Sequence, residues 1–507
     1  MKKVVIVTGY FILIFLIQSC SVNSDSLSLQ IKTEAGLEKH TSRILETYPL
    51  PDSIHIVEKS SNGNPYQPDF ILSVLRRGFP RRNKNGGNPE EAIASAQYKV
   101  IEKTWYAPVT LLWDDRVEAT AFEITSGALK VLPLEEITLP LRALPVDGLY
   151  PEDKSYPLVE EIVISLKERD FKRKDTAEIE RAEKLLLWFN RIEETIMSPE
   201  IVWIGAVGDI MPGRGVEKLL LEGKTGMEAV FGDTIPVLGG HDLLLGNLEG
   251  AVTVHAIPIP KSYNFRFPPD ILHPLREVGF DYLSVTNNHS YDYGESGFLD
   301  TLKYLNEAGI ATSGAGENIE KAVRPWETFI KGERLKILSL GAFPEERSGF
   351  NGKKHASATS DRAGILWADE RGLKAVEEVF SKESFNILMV HGGNEWHSTP
   401  SPDQKSLYRR LIDLGADLLL GSHPHYLQGL EARDGKLIAY SLGNFIFPGM
   451  EETLYGEDTL ILSVGVYNGS IRYVKFTPVK IEGKTVSLDS SQRITARFLR
   501  LSEELNR

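Results

Sequence analysis

Leu418-Leu419-Leu420-Gly421-Ser422-His423-Pro424-His425 is the stretch that decides how this chain folds. Three apolar residues in a row suit a short strand covered on both faces. A glycine ends the run, and two imidazoles follow within four residues. In open α/β sheets, ligands bind on the loops that leave the carboxyl ends of strands. Residues two apart on an extended segment share a face, so His423 and His425 are expected to point the same way. They would then serve one metal ion or two adjacent ones.

The same unit, a short apolar strand followed by polar metal-type residues, recurs upstream. Residues 201–207 run into Gly208-Asp209, and residues 243–245 into Asn247-Leu248-Glu249. Residues 282–285 run into Thr286-Asn287-Asn288-His289, and residues 387–390 into His391-Gly392-Gly393. Residues 337–340 form a further buried-type strand, and helical stretches at 298–307 and 403–414 separate strands. Strand, loop and helix alternate, which defines an α/β domain. Residues 460–466 and 471–476 close it as a hairpin through Asn468-Gly469.

Each of these residues has an ordinary reading when taken alone. Asp209 can cap a turn, Glu249 can cap a helix, and an Asn-Asn-His run can be a turn because Asn tolerates left-handed backbone. Five such loops following five strands favour convergence on one cation pocket. Imidazole nitrogen with carboxylate oxygen suits Mn, Zn or Fe. Cys20 is the sole cysteine, so a thiolate-rich zinc site and an intrachain disulfide are both excluded. Two ions about 3.5–4 Å apart would orient a water and lower its pKa.

The order Gly-Asp, Asn-x-Glu, Asn-Asn-His, His-Gly-Gly, Gly-x-His-Pro-His resembles the CapA-like capsule and poly-γ-glutamate synthesis family. Asp292-Tyr293-Gly294 and Tyr440-Ser441-Leu442-Gly443-Asn444-Phe445 add to the likeness, which spans about residues 201–450. The resemblance implies an αββα sandwich of the calcineurin-like metallophosphoesterase type. It also implies roles: Asp209 and His425 at a first metal, Glu249 as bridging carboxylate, Asn288, His391 and His423 at a second, and His289 as general acid. The phosphoesterase pattern often has a histidine two residues after the first Asp. Here that position is Met211, whose thioether is a poor ligand for a hard ion.

Arg266, Asn287 and Glu395 are candidate substrate-binding residues. Arg266 either pairs with a substrate anion or with a structural carboxylate. His241, His255, His273 and His355 have no motif partner and receive no role.

The N-terminus reads as an address. Lys2 and Lys3 precede an apolar run over residues 4–17, which is shorter than the roughly 20 residues a spanning helix needs. Ser19-Cys20 resembles a bacterial lipoprotein cleavage site, although Gln18 is not the usual small residue. Cys20 is then the lipidation point; an uncleaved anchor and plain secretion are the alternatives. All three place the body outside the cytoplasm.

The expected organisation is a signal peptide at 1–20 and a smaller α/β N-terminal domain at 21–166. A helical connector follows at 167–198, then the CapA-like domain at 199–490 and a C-terminal tail at 491–507. Within the N-terminal domain, residues 90–101 read as a helix and residues 117–124 as a strand. Residues 134–166 faintly resemble part of a periplasmic solute-binding domain; a docking spacer is the alternative.

A chain of 507 residues with 42% hydrophobic and 25% charged residues is globular and holds more than one core. Its net charge of -13 argues against nucleic acid as a partner. An anionic substrate must therefore be held by a local positive centre such as a metal. The expected partners are an anionic extracytoplasmic polymer or its precursor, other polymer-synthesis proteins, and the membrane through the N-terminal lipid. Two functions follow: a metal-dependent hydrolase or transferase, either phosphoesterase-like or amidase-like, or a non-catalytic scaffold that grips the polymer for export.

Overall fold

The computed structural model describes residues 97–166 and 198–507, with side chains over most of that range, together with the backbone of strands 2–8, 11–18, 27–31, 54–56 and 70–77 and isolated positions 187, 190 and 191. Cys20 and nearly all of the expected connector at 167–198 lie outside the described residues. Among the described residues, no helix is long and apolar enough to cross a membrane. The chain divides into two units, one of residues 1–108, 118–134 and 145–199, the other of 109–117, 135–144 and 200–507.

In the first unit, Val159–Leu166 lies between Phe70–Arg77 and Gln97–Leu111, antiparallel to both. The helix expected over 90–101 is overturned from Gln97 onward, where the chain is a strand. The strand expected over 117–124 is replaced by the short helix Ala121–Thr125. Its start is fixed by a capping box: Thr120 Oγ1 accepts from Glu123 N at 3.2 Å, and Glu123 accepts from Thr120 N at 2.9 Å. Short-range capping outweighed the apolar alternation there.

The second unit is a two-sheet sandwich. In the first sheet β1 (Val202–Ile210), β2 (Leu243–Leu248) and β3 (Phe280–Ser284) run parallel in the order β3-β2-β1. The second sheet holds β4 (Trp326–Ile330), β5 (Glu333–Ala342), β6 (Phe385–Gly392), β7 (Leu418–Ser422), β8 (Leu427–Arg433) and β9 (Lys436–Leu442) in the order β4-β5-β6-β7-β9-β8. There β5, β6, β7 and β9 are parallel, and β4 and β8 are antiparallel edges. Short β10 (Asn444–Ile446) returns beside β1. The hairpin β11 (Asp458–Tyr467) and β12 (Ser470–Glu482), then β13 (Thr485–Leu488), complete the first sheet beyond β1.

Period-two alternation shows why two sheets stack. Ile387 and Met389 of β6 and Leu418 and Leu420 of β7 enter one core with Ile204, Leu245, Leu462 and Val464 of the other sheet. Their neighbours Leu388, Val390 and Leu419 face outward onto α4 (Glu370–Val379) and α5 (Pro402–Asp413). Leu244, Leu283 and Val207 face outward onto α1 (Lys224–Phe231) and α2 (Leu272–Val278). α3 (Gly294–Glu307) lies on that side too, through Leu305. Both faces of each sheet are buried, which is why the central strands are nearly continuous apolar runs. The result is the expected αββα arrangement.

Two boundaries differ from the sequence reading. Residues 109–117 and 135–144, assigned to the N-terminal domain, belong to the sandwich unit, where Leu112 and Leu139 join the inter-sheet core. Residues 491–507 form α6 (Arg493–Asn506), which buries Ile494, Phe498 and Leu499 in the same core. Along edge strand β8, Leu430 N donates to Ser502 Oγ at 2.9 Å and Ala432 N to Asn506 Oδ1 at 2.8 Å. Asn506 Nδ2 donates back to Leu430 O at 2.8 Å. A side chain on Gly429 would strike the backbone of Leu501 and Ser502 at 2.5 Å, so the helix sits directly on the edge.

Candidate metal centre

The parallel strands of both sheets end on one side of the sandwich, and their loops carry the polar residues inward. Asp209, Asn247, Glu249, Asn288, His391, His423 and His425 are all nearly or completely buried. Two motif glycines make the approach feasible. Gly208 lets β1 pass Gly443, whose carbonyl would lie 1.9 Å from an added Cβ, and Asp209 N donates to that carbonyl at 2.9 Å. Gly421 does the same against the Tyr440 carbonyl, at 2.1 Å.

Two sub-clusters meet at Glu249. On one side His425 Nδ1 is 3.4 Å from Asp209 Oδ2, and its Nε2 is 4.0 Å from Glu249 Oε1. On the other, His391 Nε2 is 2.9 Å from Asn288 Oδ1 and 3.1 Å from His423 Nδ1. One ligand-type atom each from Asp209, Glu249 and His391 falls within 4.8 Å of the others. The expectation that His423 and His425 share a face of an extended segment is corrected. Both residues have left-handed backbone, φ +97° and +59°, so the chain turns at each. One ring meets His391 and the other meets Asp209.

The electrostatics are those of a site short of positive charge. Both carboxylate oxygens of Glu249 and Nε2 of His423 are buried without a hydrogen-bond partner. An unpaired buried carboxylate is costly. Burial, then the neighbouring Asp209, pushes Glu249 well above the usual carboxylate range. Burial and the adjacent imidazoles push His391 and His423 well below the usual imidazole range. Burial also lowers His425, but the Asp209 carboxylate outweighs it and the net shift is upward. Neutral imidazoles and an unsatisfied carboxylate are the donor set a divalent cation requires.

His289 is positioned apart from these donors. Its Nδ1 is 2.7 Å from Asp292 Oδ2, and Nε2 faces the pocket 3.9 Å from Glu249 Oε1. Phe265 stacks on its ring at 4.1 Å between centroids. Asp292 is held in turn by Lys261, whose Nζ lies 2.7 Å from Asp292 Oδ1 and 2.8 Å from Glu346 Oε1. The same Nζ donates to the Asn288 carbonyl at 2.7 Å. The Lys261 and Asp292 side chains are completely buried. Lys261→Met should therefore destabilise the protein by about 3–5 kcal/mol, the usual cost of leaving one member of a buried pair uncompensated. Urea unfolding of the metal-free protein would measure it; a loss under 1 kcal/mol would mean the network is not held this way.

The remaining candidates make other contacts. Asn287 is buried and donates to Asn247 Oδ1 and the Leu248 carbonyl, which ties two loops together and leaves no amide hydrogen for a substrate. Arg266 is exposed, donates to the His255 carbonyl and lies over Tyr293, and among the described residues it has no carboxylate partner. Glu395 is exposed, and its charge acts on Glu249 and His425. Met211 is buried and lies in the core between β1 and the outer helices. Asp292 had a visible signal, three residues after His289, but Lys261 had none. Asn444, whose Oδ1 accepts from His425 Nδ1 at 2.8 Å, belongs to a motif whose role was not evident.

A two-sheet αββα sandwich with histidines, carboxylates and a carboxamide at adjacent strand ends is a domain of the metallophosphoesterase type. Residues 203–449 match the family described as bacterial capsule synthesis protein PGA_cap. Over that domain the chain is similar to CapA-like capsule and poly-glutamate synthesis proteins. It is 29% identical over 292 residues to the PGA biosynthesis protein CapA of Bacillus subtilis, covering 57% of this chain and 74% of that one. It is 32% identical over 250 residues to the capsule biosynthesis protein CapA of Bacillus anthracis, covering 48% and 58%. Among solved structures, a phosphatase from Mycoplasma pneumoniae matches with a TM-score of 0.36 and 10% identity, over 60% of this chain and 99% of that one.

Proposed function

We propose that this protein is a metal-dependent hydrolase or transferase acting on an anionic envelope polymer, or its precursor, in capsule or poly-γ-glutamate-type synthesis. It works on the extracytoplasmic side, held to the membrane by lipid on Cys20. The observation that carries the reading is the buried, unpartnered Glu249 between two imidazole sub-clusters, beside a histidine with a free Nε2.

Asp209, Glu249 and His425 would hold one divalent ion, and Glu249, Asn288, His391 and His423 a second. When bound, such ions supply Lewis acidity and an activated water. His289 manages the leaving-group proton. Asp292 fixes Nδ1 as the protonated nitrogen, so Nε2 is the atom that takes up and releases the proton at the cleft. Burial holds this imidazole below its ordinary pKa, partly offset by Asp292, which makes its protonated form a stronger acid. The stacked Phe265 limits water on one face of the ring.

Metal should stabilise the fold because the site is complete only when folded. Manganese at 1,000 times its Kd should add about 4 kcal/mol. The melting temperature of metal-free protein should rise on titration and fall with chelator. No shift with Mn, Zn or Fe would remove the metal from this reading. Turnover is tested with the full chain, manganese, and a panel of phosphodiesters and γ-glutamyl amides; a metal-loaded protein that leaves the whole panel intact would count against catalysis.

A further inference from the structure

Ten non-glycine residues among those described have left-handed backbone, and four of them border this one cleft: His423, His425, Arg214 and Trp396. Such strain costs of order 1–3 kcal/mol per residue and persists where the surroundings impose it, often at functional sites. Metal ligation accounts for the two histidines. Arg214, at φ +52°, and Trp396, at φ +63°, remain.

Arg214 follows β1 five residues after Asp209 and is exposed. Its guanidinium carbon is 5.5 Å from the centroid of Phe265 and 5.9 Å from that of Phe447. Those two rings lean on the site itself: Phe265 stacks on His289 at 4.1 Å, and Phe447 meets His425 edge-on at 4.9 Å. Adding the 5.5 Å and 4.1 Å separations puts the guanidinium within about 10 Å of the His289 ring. One nitrogen, Nη1, donates to the Pro448 carbonyl at 2.5 Å. It fits there because Gly449 has no side chain; a Cβ would lie 2.7 Å from it. Among the described residues Arg214 has no carboxylate partner, and its side chain is open to solvent. Trp396 also stacks on His425, at 4.8 Å and 26°, is 40% exposed, and is fixed by its backbone N–H, which donates to the Pro424 carbonyl.

The geometry points to Arg214 as the residue that binds a second oxyanion of the substrate, one repeat away from the bond at the metal centre. Trp396 is the opposite wall, packing on the intervening aliphatic segment. This assignment rests on the proposed polymer-acting site and narrows its substrate to chains with regularly spaced negative groups. A guanidinium on an aromatic shelf keeps its planar fork presented, which suits carboxylate and phosphate alike. An acidic protein gains selectivity from a single cation set at a fixed span from the reacting bond.

The test is equilibrium binding to the full-length, manganese-loaded protein. The probes are a γ-linked glutamate tetramer and a glycerol-phosphate tetramer, which separate a carboxylate source from a phosphate source. Arg214→Gln should weaken the preferred oligomer at least tenfold and flatten the salt dependence. Arg214→Lys should recover part of that loss, and Lys374→Gln, an exposed control on α4, should change binding less than twofold. Metal content and melting temperature are followed to certify each fold. Arg214→Gln binding either oligomer as tightly as the unaltered protein would overturn the assignment, as would unaltered protein that binds neither. Binding through Arg214 without turnover of any substrate would keep the subsite and sink the hydrolase reading. Turnover with binding insensitive to Arg214 would do the reverse.

Discussion

Glu249→Gln should make the metal-free protein more stable and the metal-supplemented protein inert. Glu249 is fully buried with neither oxygen partnered, and its pKa is raised by burial and by Asp209. A group whose folded pKa lies above its unfolded value adds stability below the unfolded pKa, and this is lost as pH rises through the folded value. Between the unfolded and folded values the metal-free protein therefore loses about 1.4 kcal/mol of stability for every pH unit. The neutral amide removes the penalty, so metal-free Glu249→Gln should unfold at higher urea than the unaltered protein at pH 7. The two should converge in acid, near the unfolded carboxylate range. With manganese the order reverses, because the bridging charge is gone and the variant gains nothing. Thermal unfolding with and without metal at two pH values reads all four states. Variant and unaltered protein responding alike to manganese would mean that Glu249 is not at the metal centre.

His289→Ala separates chemistry from metal binding. The ring is stacked on Phe265, tied to Asp292, and its Nε2 is 3.9 Å from Glu249 without belonging to either sub-cluster of ligand atoms. Removing a general acid typically costs 10²–10⁴-fold. The expected outcome is a kcat lower by about that factor with metal content unchanged. In cells, polymer output should fall with it. Polymer output that survives the substitution would favour the scaffold over the enzyme.

The site was legible in sequence because it follows a rule of position. Each donor comes at or just after the end of an apolar strand, and parallel strands end on the same side of a sheet, so Asp209, Glu249 and Asn288 gather at the end of one sheet and His391, His423 and His425 at the end of the other, and stacking the sheets brings the two groups together. What was not legible were residues held by long-range contact. Lys261 sits in a proline-rich loop with no periodicity, and only the fold brings it against Asp292 and Glu346. Arg266 attracted attention as an arginine between two aromatic residues, whereas Arg214 gains its place from Phe265 and Phe447, which are far apart in sequence. The backbone turn at His423 and His425 was also hidden, since neither residue ordinarily adopts positive φ. α6 carries a helical apolar pattern in Ile494, Phe498, Leu499 and Leu505, but only the fold shows that its surface is the inter-sheet core and the β8 edge.

The pairing of Ser502 and Asn506 with the backbone of β8 has a practical corollary for anyone shortening this chain. A sheet margin with open N–H and C=O groups is a template on which other copies can add strands. Trimming the last turn would remove Asn506 and uncover part of that margin, so these residues guard solubility, and a truncated preparation that forms fibrous aggregates would owe this to an unsealed seam and not to damage at the candidate metal centre.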